Sequence, residues 1–184
     1  MPYGCLDVKT LSAASLKALE GALEHWQRSM QISRPTTFLL LTGYDDGSGP
    51  EVELKREIVL SSPAGEALAN NVIAITAKNE EELATKVARN KTLMPIQTLI
   101  LLAESRHALA LRPIFKRKFG RALEIRKFKA DFEFNHPWIS TSSSFTWFFR
   151  NLILGIWAGI RKRTGRSLRK KLTPIRQKQS SHVR

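Results

Sequence analysis

A chain of 184 residues with 42% hydrophobic residues is long enough for one compact domain with an ordinary core. Its single cysteine, Cys5, excludes an internal disulfide and any zinc site built from several cysteines. The net charge of +14 is concentrated at one end, because residues 141–184 hold 11 Lys or Arg and no Asp or Glu, which leaves +3 for residues 1–140. This division argues against a basic groove across the domain and for an attached segment that associates with phosphate-bearing surfaces.

The first third of the chain alternates between helical and strand patterns. Apolar residues at helical spacing predict a helix from Ser12, as its N-cap, to about Met30. The run TTFLLLTG at 36–43 is typical of a strand that is buried on both faces. After the turn-rich loop YDDGSGP, the segment EVELKREIVL at 51–60 predicts a second helix.

The same alternation continues to residue 128. It predicts a strand NVIAIT at 71–76, a helix KNEEELATKVARNKTL at 78–93 capped by Asn79, a strand IQTLILLAE at 96–104, a helix SRHALALRPIFKRKFG at 105–120 and a strand RALEIRKF at 121–128. Strands and helices in alternation indicate parallel strands joined by crossovers. The predicted fold class is therefore α/β, a three-layer Rossmann-like sandwich with a mostly parallel sheet, followed by a C-terminal helix and a basic tail.

In such folds, ligands bind outside the carboxyl ends of the strands. The loops at 43–53, 77–82 and 104–107 should therefore converge on one cleft, which would bring together Gly43, Asn79, Glu104, Ser105 and His107. The helices that follow these strands direct their N-terminal amides at the same edge, so the pattern favours an anionic or strongly polar ligand.

From Leu11 to Gly120 the order of motifs resembles the YdcF-like family, a bacterial domain family that includes SanA and ElyC. The Leu-Ser start of the first helix is matched, and the strand FLLLTG ends in Gly43 with Tyr44 in place of a second glycine. Glu51 or Glu53 could stand for the family's downstream glutamate.

Two further motifs carry the resemblance. The family's Asn-Thr-x-Glu segment resembles residues 79–82, with the threonine replaced and Leu83 where an asparagine is expected. Its strand followed by His-x-x-Arg resembles LILLAESRHALA, in which His107 fits and Ala110 occupies the arginine position. The missing arginine removes a natural clamp for a phosphate or carboxylate, for which Arg106 or Arg112 could substitute.

The resemblance implies a Rossmann-like fold and an association with the bacterial envelope, and for one branch it implies S-adenosylmethionine binding. It brings no settled reaction, and the sequence leaves open whether the chain is an enzyme. Sheet geometry and resemblance together predict these ligand contacts: Gly43, Tyr44, Glu53, Asn79, Glu82, Glu104, Ser105 and Arg106.

His107 is the candidate catalytic residue, as a general acid or base oriented by Glu104 or Glu82. The competing interpretation is a histidine that caps a helix or contacts a ligand without proton transfer. Ser105 is flanked by charged residues rather than by the glycines of a nucleophile elbow, so an N-cap role is favoured for it. No histidine pair has metal-binding spacing, and no metal site is predicted.

The apolar C-terminal segment has two interpretations. From Trp147 to Ile160 it has 14 residues, or about 21 Å of helix, which is too short for about 30 Å of bilayer hydrocarbon. One interpretation packs Phe148, Leu152, Ile156 and Ile160 against the sheet or a partner subunit. The other lays Trp147, Phe148, Phe149, Leu152, Ile153 and Trp157 into a membrane interface next to the basic segment RKRTGRSLRKK.

The residues predicted to contact a membrane or another polyanion are Trp147, Trp157, Arg161, Lys162, Arg163, Arg166, Arg169, Lys170 and Lys171. Nucleic acid is the less favoured partner, because nothing in residues 1–140 supplies a base-reading module. The N-terminus lacks the basic flank and apolar segment of a secretory signal, so we expect a cytoplasmic protein that is peripheral at the inner face of the membrane.

The predicted organisation has three parts: a YdcF-like α/β domain at 1–130, a loop and apolar helix at 131–164, and a basic, poorly ordered tail at 165–184. The favoured function is the binding of a small polar or nucleotide-like ligand at the carboxyl edge of the sheet. The alternative is a non-catalytic scaffold or polyanion-binding protein that acts through its basic C-terminus.

Overall fold

The structure is a computed structural model that describes Cys5 and Ser143 together with residues 9–32, 37–44, 50–130 and 145–160. The described helices are α1 (Ala13–Gln31), α2 (Glu51–Leu60), α3 (Gly65–Leu68), α4 (Glu80–Arg89), α5 (His107–Phe119) and α6 (145–160). The described strands are β1 (Leu39–Tyr44), β2 (Val72–Ala77), β3 (Leu99–Glu104) and β4 (Leu123–Phe128). The predicted alternation of strands and helices is confirmed.

Two helix starts follow directly from the sequence. The Ser12 hydroxyl accepts a hydrogen bond from the Ser15 amide at 3.2 Å, and the Asn79 side chain accepts one from the Glu82 amide at 2.9 Å. Each bond satisfies an amide that has no partner inside its helix, so both residues act as the predicted N-caps.

The four strands form two parallel pairs. β1 pairs with β2 and β3 pairs with β4, and in each pair the first residues, Leu39 with Val72 and Leu99 with Leu123, lie opposite each other. The sequence led us to expect one continuous sheet. Among the described residues the strands instead form two separate two-stranded sheets. A cavity of about 660 Å³ lies between β1 and β3, which both contribute to its lining.

β1 packs against a core on each face, with Leu39 and Leu41 buried on one face and Leu40 partly buried on the other, where the apolar run had predicted burial of both. Leu39 and Leu41 belong to one core, formed with α1, α2 and α3, whereas Leu40 packs against a second core formed by β2, β3, α4 and α5. Successive side chains of a strand point to opposite faces, so these two cores lie on opposite sides of β1.

Helix α6 packs on the second core through one narrow face. Trp147, Asn151 and Ala158 are buried there. A Cβ atom added at Gly155 would lie 2.8 Å from the carbonyl oxygen of Leu109, so a glycine at this position permits the close approach of α6 to α5.

This packing corrects part of each prediction for the C-terminal segment. Phe148, Ile156 and Ile160, which were expected to pack against the sheet or a partner subunit, are exposed rather than packed against the sheet, and packing against a partner subunit stays a prediction. Trp147, expected at a membrane interface, is fully buried in the domain. The predicted tail at 165–184 lies outside the described residues.

Candidate functional site

Glu104 ends β3 and organises the start of α5. Its side chain is completely buried, and Oε2 accepts hydrogen bonds from the amides of Arg106 at 2.8 Å and His107 at 3.1 Å. Glu104 therefore caps α5, and the N-cap prediction for Ser105 is wrong. The Ser105 hydroxyl instead donates to the carbonyl oxygen of Phe128 at 2.8 Å, which ties the turn to β4.

Trp147 from α6 completes the surroundings of this carboxylate. Its indole Nε1 donates to Glu104 Oε2 at 2.9 Å, and its ring centroid lies 5.2 Å from that of His107. The Arg106 guanidinium lies 3.2 Å from Glu104 Oε1. The buried carboxylate thus receives two backbone donors, one indole and one guanidinium, which offsets the cost of removing it from water.

His107 pairs with a carboxylate from α4. Its Nε2 lies 3.4 Å from Glu80 Oε1, with both side chains buried. The sequence had suggested Glu104 or Glu82 as the orienting carboxylate, so the assignment of Glu82 is corrected to Glu80. Arg150 of α6 lies 3.9 Å from the same Glu80 oxygen and 5.2 Å from the centre of the Trp147 ring.

We name Glu80, Glu104, His107, Trp147 and Arg150 the carboxyl-edge cluster. Burial lowers the pKa of the His107 imidazole, and the hydrogen bond with Glu80 opposes that shift only in part. Burial also opposes ionisation of Glu80, but the hydrogen bond and the charge interaction with His107, a backbone hydrogen bond and the Arg150 charge together outweigh it and lower the pKa of Glu80. The lowered pKa of His107 favours its neutral imidazole, which can donate from Nε2 to Glu80 Oε1.

A second buried polar group lies at the end of β1. The Lys55 ammonium donates to Glu51 Oε1 at 2.6 Å and to the Thr42 carbonyl at 2.7 Å, and the Ser15 hydroxyl donates to the same Glu51 oxygen at 2.7 Å. At Gly43, a Cβ atom would lie 2.6 Å from the Val52 side chain, so the glycine allows α2 to start against the strand.

The predicted ligand contacts are distributed over four places: the carboxyl-edge cluster, the end of β1, the exposed side of α2 and the start of α4. Glu104 and Arg106 lie in the carboxyl-edge cluster or next to it, and Gly43 is buried beside Glu51 at the end of β1, the strand that Tyr44 closes. Glu53 is exposed on α2 and Asn79 is an exposed helix cap. Glu82 accepts from Lys86 at 2.9 Å and from the Lys78 amide at 3.0 Å, away from His107.

Glu80, Trp147 and Arg150 were not predicted for this site. The sequence does contain a pattern that indicates burial of Glu80. This residue stands three, four and seven positions before Leu83, Ala84 and Val87, which places it on the buried face of α4. Trp157 is half-exposed on α6, and the basic residues 161–171 lie outside the described residues.

The carboxyl-edge cluster consists of two buried carboxylates and an imidazole that are joined by hydrogen bonds to neighbouring side chains and amides. Within the described part of the chain, no group of three or more His, Cys, Asp or Glu side chains could hold a metal ion. The cavity between β1 and β3 is a separate feature, because none of the five cluster residues lines it.

Comparison with protein-family models, curated proteins and solved structures finds no match to this chain.

Proposed function

We propose that the chain is a divergent YdcF-like α/β domain that binds a small polar or nucleotide-like ligand at the carboxyl edge of its strands. In this proposal the two parallel pairs belong to one three-layer Rossmann-like arrangement. The parallel pairing and the two cores on opposite sides of β1 support it. So does the position of His107 directly after β3, at the edge where ligands bind in such folds.

The carboxyl-edge cluster is the observation that carries the proposal. Glu80, Glu104 and His107 are each less than a tenth exposed. Apolar side chains of similar volume would stabilise such a position at least as well, so stability alone is a weak reason for charged groups there. Buried titratable groups with shifted pKa values at the ends of parallel strands are typical of functional sites.

The hydrogen-bond donors and acceptors of the carboxyl-edge cluster favour particular chemical classes of ligand. The backbone amides of Arg106 and His107, at the start of α5, donate to Glu104. They are therefore occupied and do not offer a binding site for an anionic ligand. Two carboxylates and an imidazole suit a ligand rich in hydrogen-bond donors, such as the hydroxyl and amino groups of a nucleoside. The ammonium and sulfonium groups of S-adenosylmethionine also suit carboxylates. Arg106, whose side chain is 36% exposed, can hold an anionic part of the ligand at the rim.

Access to the cluster depends on α6. Trp147 is fully buried and covers Glu104 and His107, so a ligand that contacts both residues must displace the indole ring or the helix that carries it. Once a ligand is bound, His107 is the residue we assign to proton exchange, with Glu80 as its orienting carboxylate.

The test is thermal unfolding of the full chain with nucleotides, S-adenosylmethionine, sugar phosphates and lipid-linked phosphates. A ligand at 100 times its dissociation constant stabilises the native state by about 2.7 kcal/mol. We expect one class of ligand to raise the unfolding temperature in a concentration-dependent way, and His107→Gln and Glu80→Gln to remove that shift.

His25→Gln is the matched control, because His25 lies on α1 and contacts Arg126 rather than the cluster. It should keep the ligand-induced shift. If no ligand stabilises the folded protein, or if both cluster variants respond like the wild type, the site is not functional. The scaffold alternative, in which the C-terminus does the work, would then be favoured.

A further inference from the structure

The outward face of α6 is apolar and exposed. We define this face, the outer face of α6, by the side chains Phe145, Phe149, Ile153, Ile156, Trp157 and Ile160, all of which are at least 44% exposed. At 100° per residue these positions fall within about one third of the helix circumference, opposite the buried residues Trp147, Asn151 and Ala158. The helix therefore carries large apolar side chains on its exposed side as well as on its packed side.

No charge interrupts the outer face. Arg150 is the only charged residue in 145–160, and it is directed at Glu80 and the Trp147 ring on the other side of the helix. Phe149 contacts both Phe145, at 4.6 Å between ring centroids, and Phe148, at 5.5 Å. A contiguous surface of this kind marks an interaction site rather than ordinary solvent-exposed surface.

We propose that the outer face of α6 docks into the interfacial region of an anionic lipid membrane, with the basic segment that follows it held at the lipid headgroups. Residues 161–171 contain seven Lys or Arg and no acidic residue, and they continue the chain directly from α6. An apolar helical face, aromatic residues and adjoining basic residues are the features by which interfacial helices bind anionic bilayers.

Charge and chemistry favour a membrane over two other occupants. A second copy that covered this face would add another strongly basic segment to the assembly and would supply no acidic partner for either one, because residues 161–184 contain no Asp or Glu. A nucleic acid would satisfy the basic segment but would leave the isoleucines and phenylalanines in water. No described helix is long and apolar enough to cross a bilayer, so the proposal is a surface contact.

The experiment is flotation of the full chain with vesicles of phosphatidylcholine, with and without phosphatidylglycerol. We expect binding that requires phosphatidylglycerol and weakens at high salt. Ile153→Asp should weaken vesicle binding about 10- to 100-fold, because burying one isoleucine contributes about that factor. Replacing Lys and Arg in 161–171 by Gln should also weaken binding to the anionic vesicles.

Ile32→Asp is the matched control, because Ile32 is 65% exposed at the end of α1 and Ile153 is 63% exposed on α6. The exchange is the same in size and charge, so it should leave vesicle binding unchanged. Far-UV circular dichroism and unfolding temperature of both variants establish that they are folded.

Three outcomes would overturn the proposal. The first is vesicle binding by Ile153→Asp that is as tight as that of the wild type, which would leave the basic segment as the sole contact. The second is a wild type that does not bind vesicles but forms a dimer that Ile153→Asp abolishes, which would make a second copy the occupant. The third is oligonucleotide binding that Ile153→Asp does not alter and with which anionic vesicles do not compete, which would make a nucleic acid the partner. None of these results depends on the ligand-binding test above.

Discussion

Trp147→Phe tests whether the buried hydrogen bond to Glu104 holds α6 against the domain. The exchange keeps an aromatic ring but removes the indole N–H that lies 2.9 Å from a fully buried carboxylate. A hydrogen bond to a charged group contributes about 1.5–3 kcal/mol, and we expect the free energy of unfolding to fall by about that amount. Arg106 and two backbone amides still contact Glu104, so its buried oxygens keep hydrogen-bond donors and we expect the domain to remain folded.

Trp26→Phe provides the matched comparison. The Trp26 indole also donates over 2.9 Å, but to the neutral carbonyl oxygen of Thr37, where loss of the bond costs about 0.5–1.5 kcal/mol. Urea unfolding followed by far-UV circular dichroism gives both values without depending on tryptophan fluorescence. A Trp147→Phe loss no larger than the Trp26→Phe loss would refute the reasoning. A decrease in the denaturant slope of Trp147→Phe would indicate that α6 has already separated from the domain.

Two further perturbations test the cluster and the packing of α6. Burial lowers the pKa of the His107 imidazole below its ordinary 6.5. The unfolded chain therefore takes up a proton first as the pH falls below 6.5, and the free energy of unfolding decreases until the pH reaches the pKa of His107 in the folded state. The slope of this decrease is at most about 1.4 kcal/mol per pH unit. Urea unfolding at a series of pH values should show this slope in the wild type and His25→Gln and a flatter one in His107→Gln; an equal slope in all three would contradict the assignment. Gly155→Ala should lower the unfolding temperature, because the new methyl group would lie 2.8 Å from a backbone oxygen, whereas Gly159→Ala, with nothing within 4 Å, should raise it through better helix propensity. Equal shifts for the two alanine variants would show that α6 is not closely packed at Gly155.

Most of the secondary structure could be predicted from local sequence patterns, because the apolar spacing and the capping residues of each segment are sufficient to indicate a helix or a strand. The 3.6-residue spacing of α1 and the short apolar runs of β1 and β3 have few alternatives, and Ser12 and Asn79 meet the requirements of N-caps without help from distant residues. Ser105 met the same requirement and the prediction was wrong. The carbonyl oxygen of Phe128, a residue 23 positions later, competes for its hydroxyl.

The site was harder to predict because its contacts join distant parts of the chain. The strand ends correctly led to Glu104 and His107, but the choice of Glu80 over Glu82 depends on which side of α4 faces α5. Trp147 reaches Glu104 from 43 residues further along the chain. Large apolar residues occur on every side of α6, so their periodicity does not distinguish the packed face from the exposed face.

One row of four residues marks the packed face of α6. Trp147, Asn151, Gly155 and Ala158 recur at spacings of four, four and three, which places them in one row along the helix. That row is the packed one, so the polar Asn151 lies on the face that contacts the domain.

The packing of α6 also constrains how the two proposals combine. Because Trp147 and Gly155 are held against the domain, the helix can offer a membrane only its outer face, and its axis must then lie along the membrane surface. A helix is about 10 Å thick, so the carboxyl-edge cluster would stand about that distance above the lipid. The two functions should consequently be separable in solution. Ile153→Asp should leave ligand-induced stabilisation intact, because Ile153 lies on the outer face. Trp147→Phe should alter it, because Trp147 contacts both Glu104 and His107. Loss of ligand-induced stabilisation in Ile153→Asp would instead mean that the two faces of α6 do not act independently.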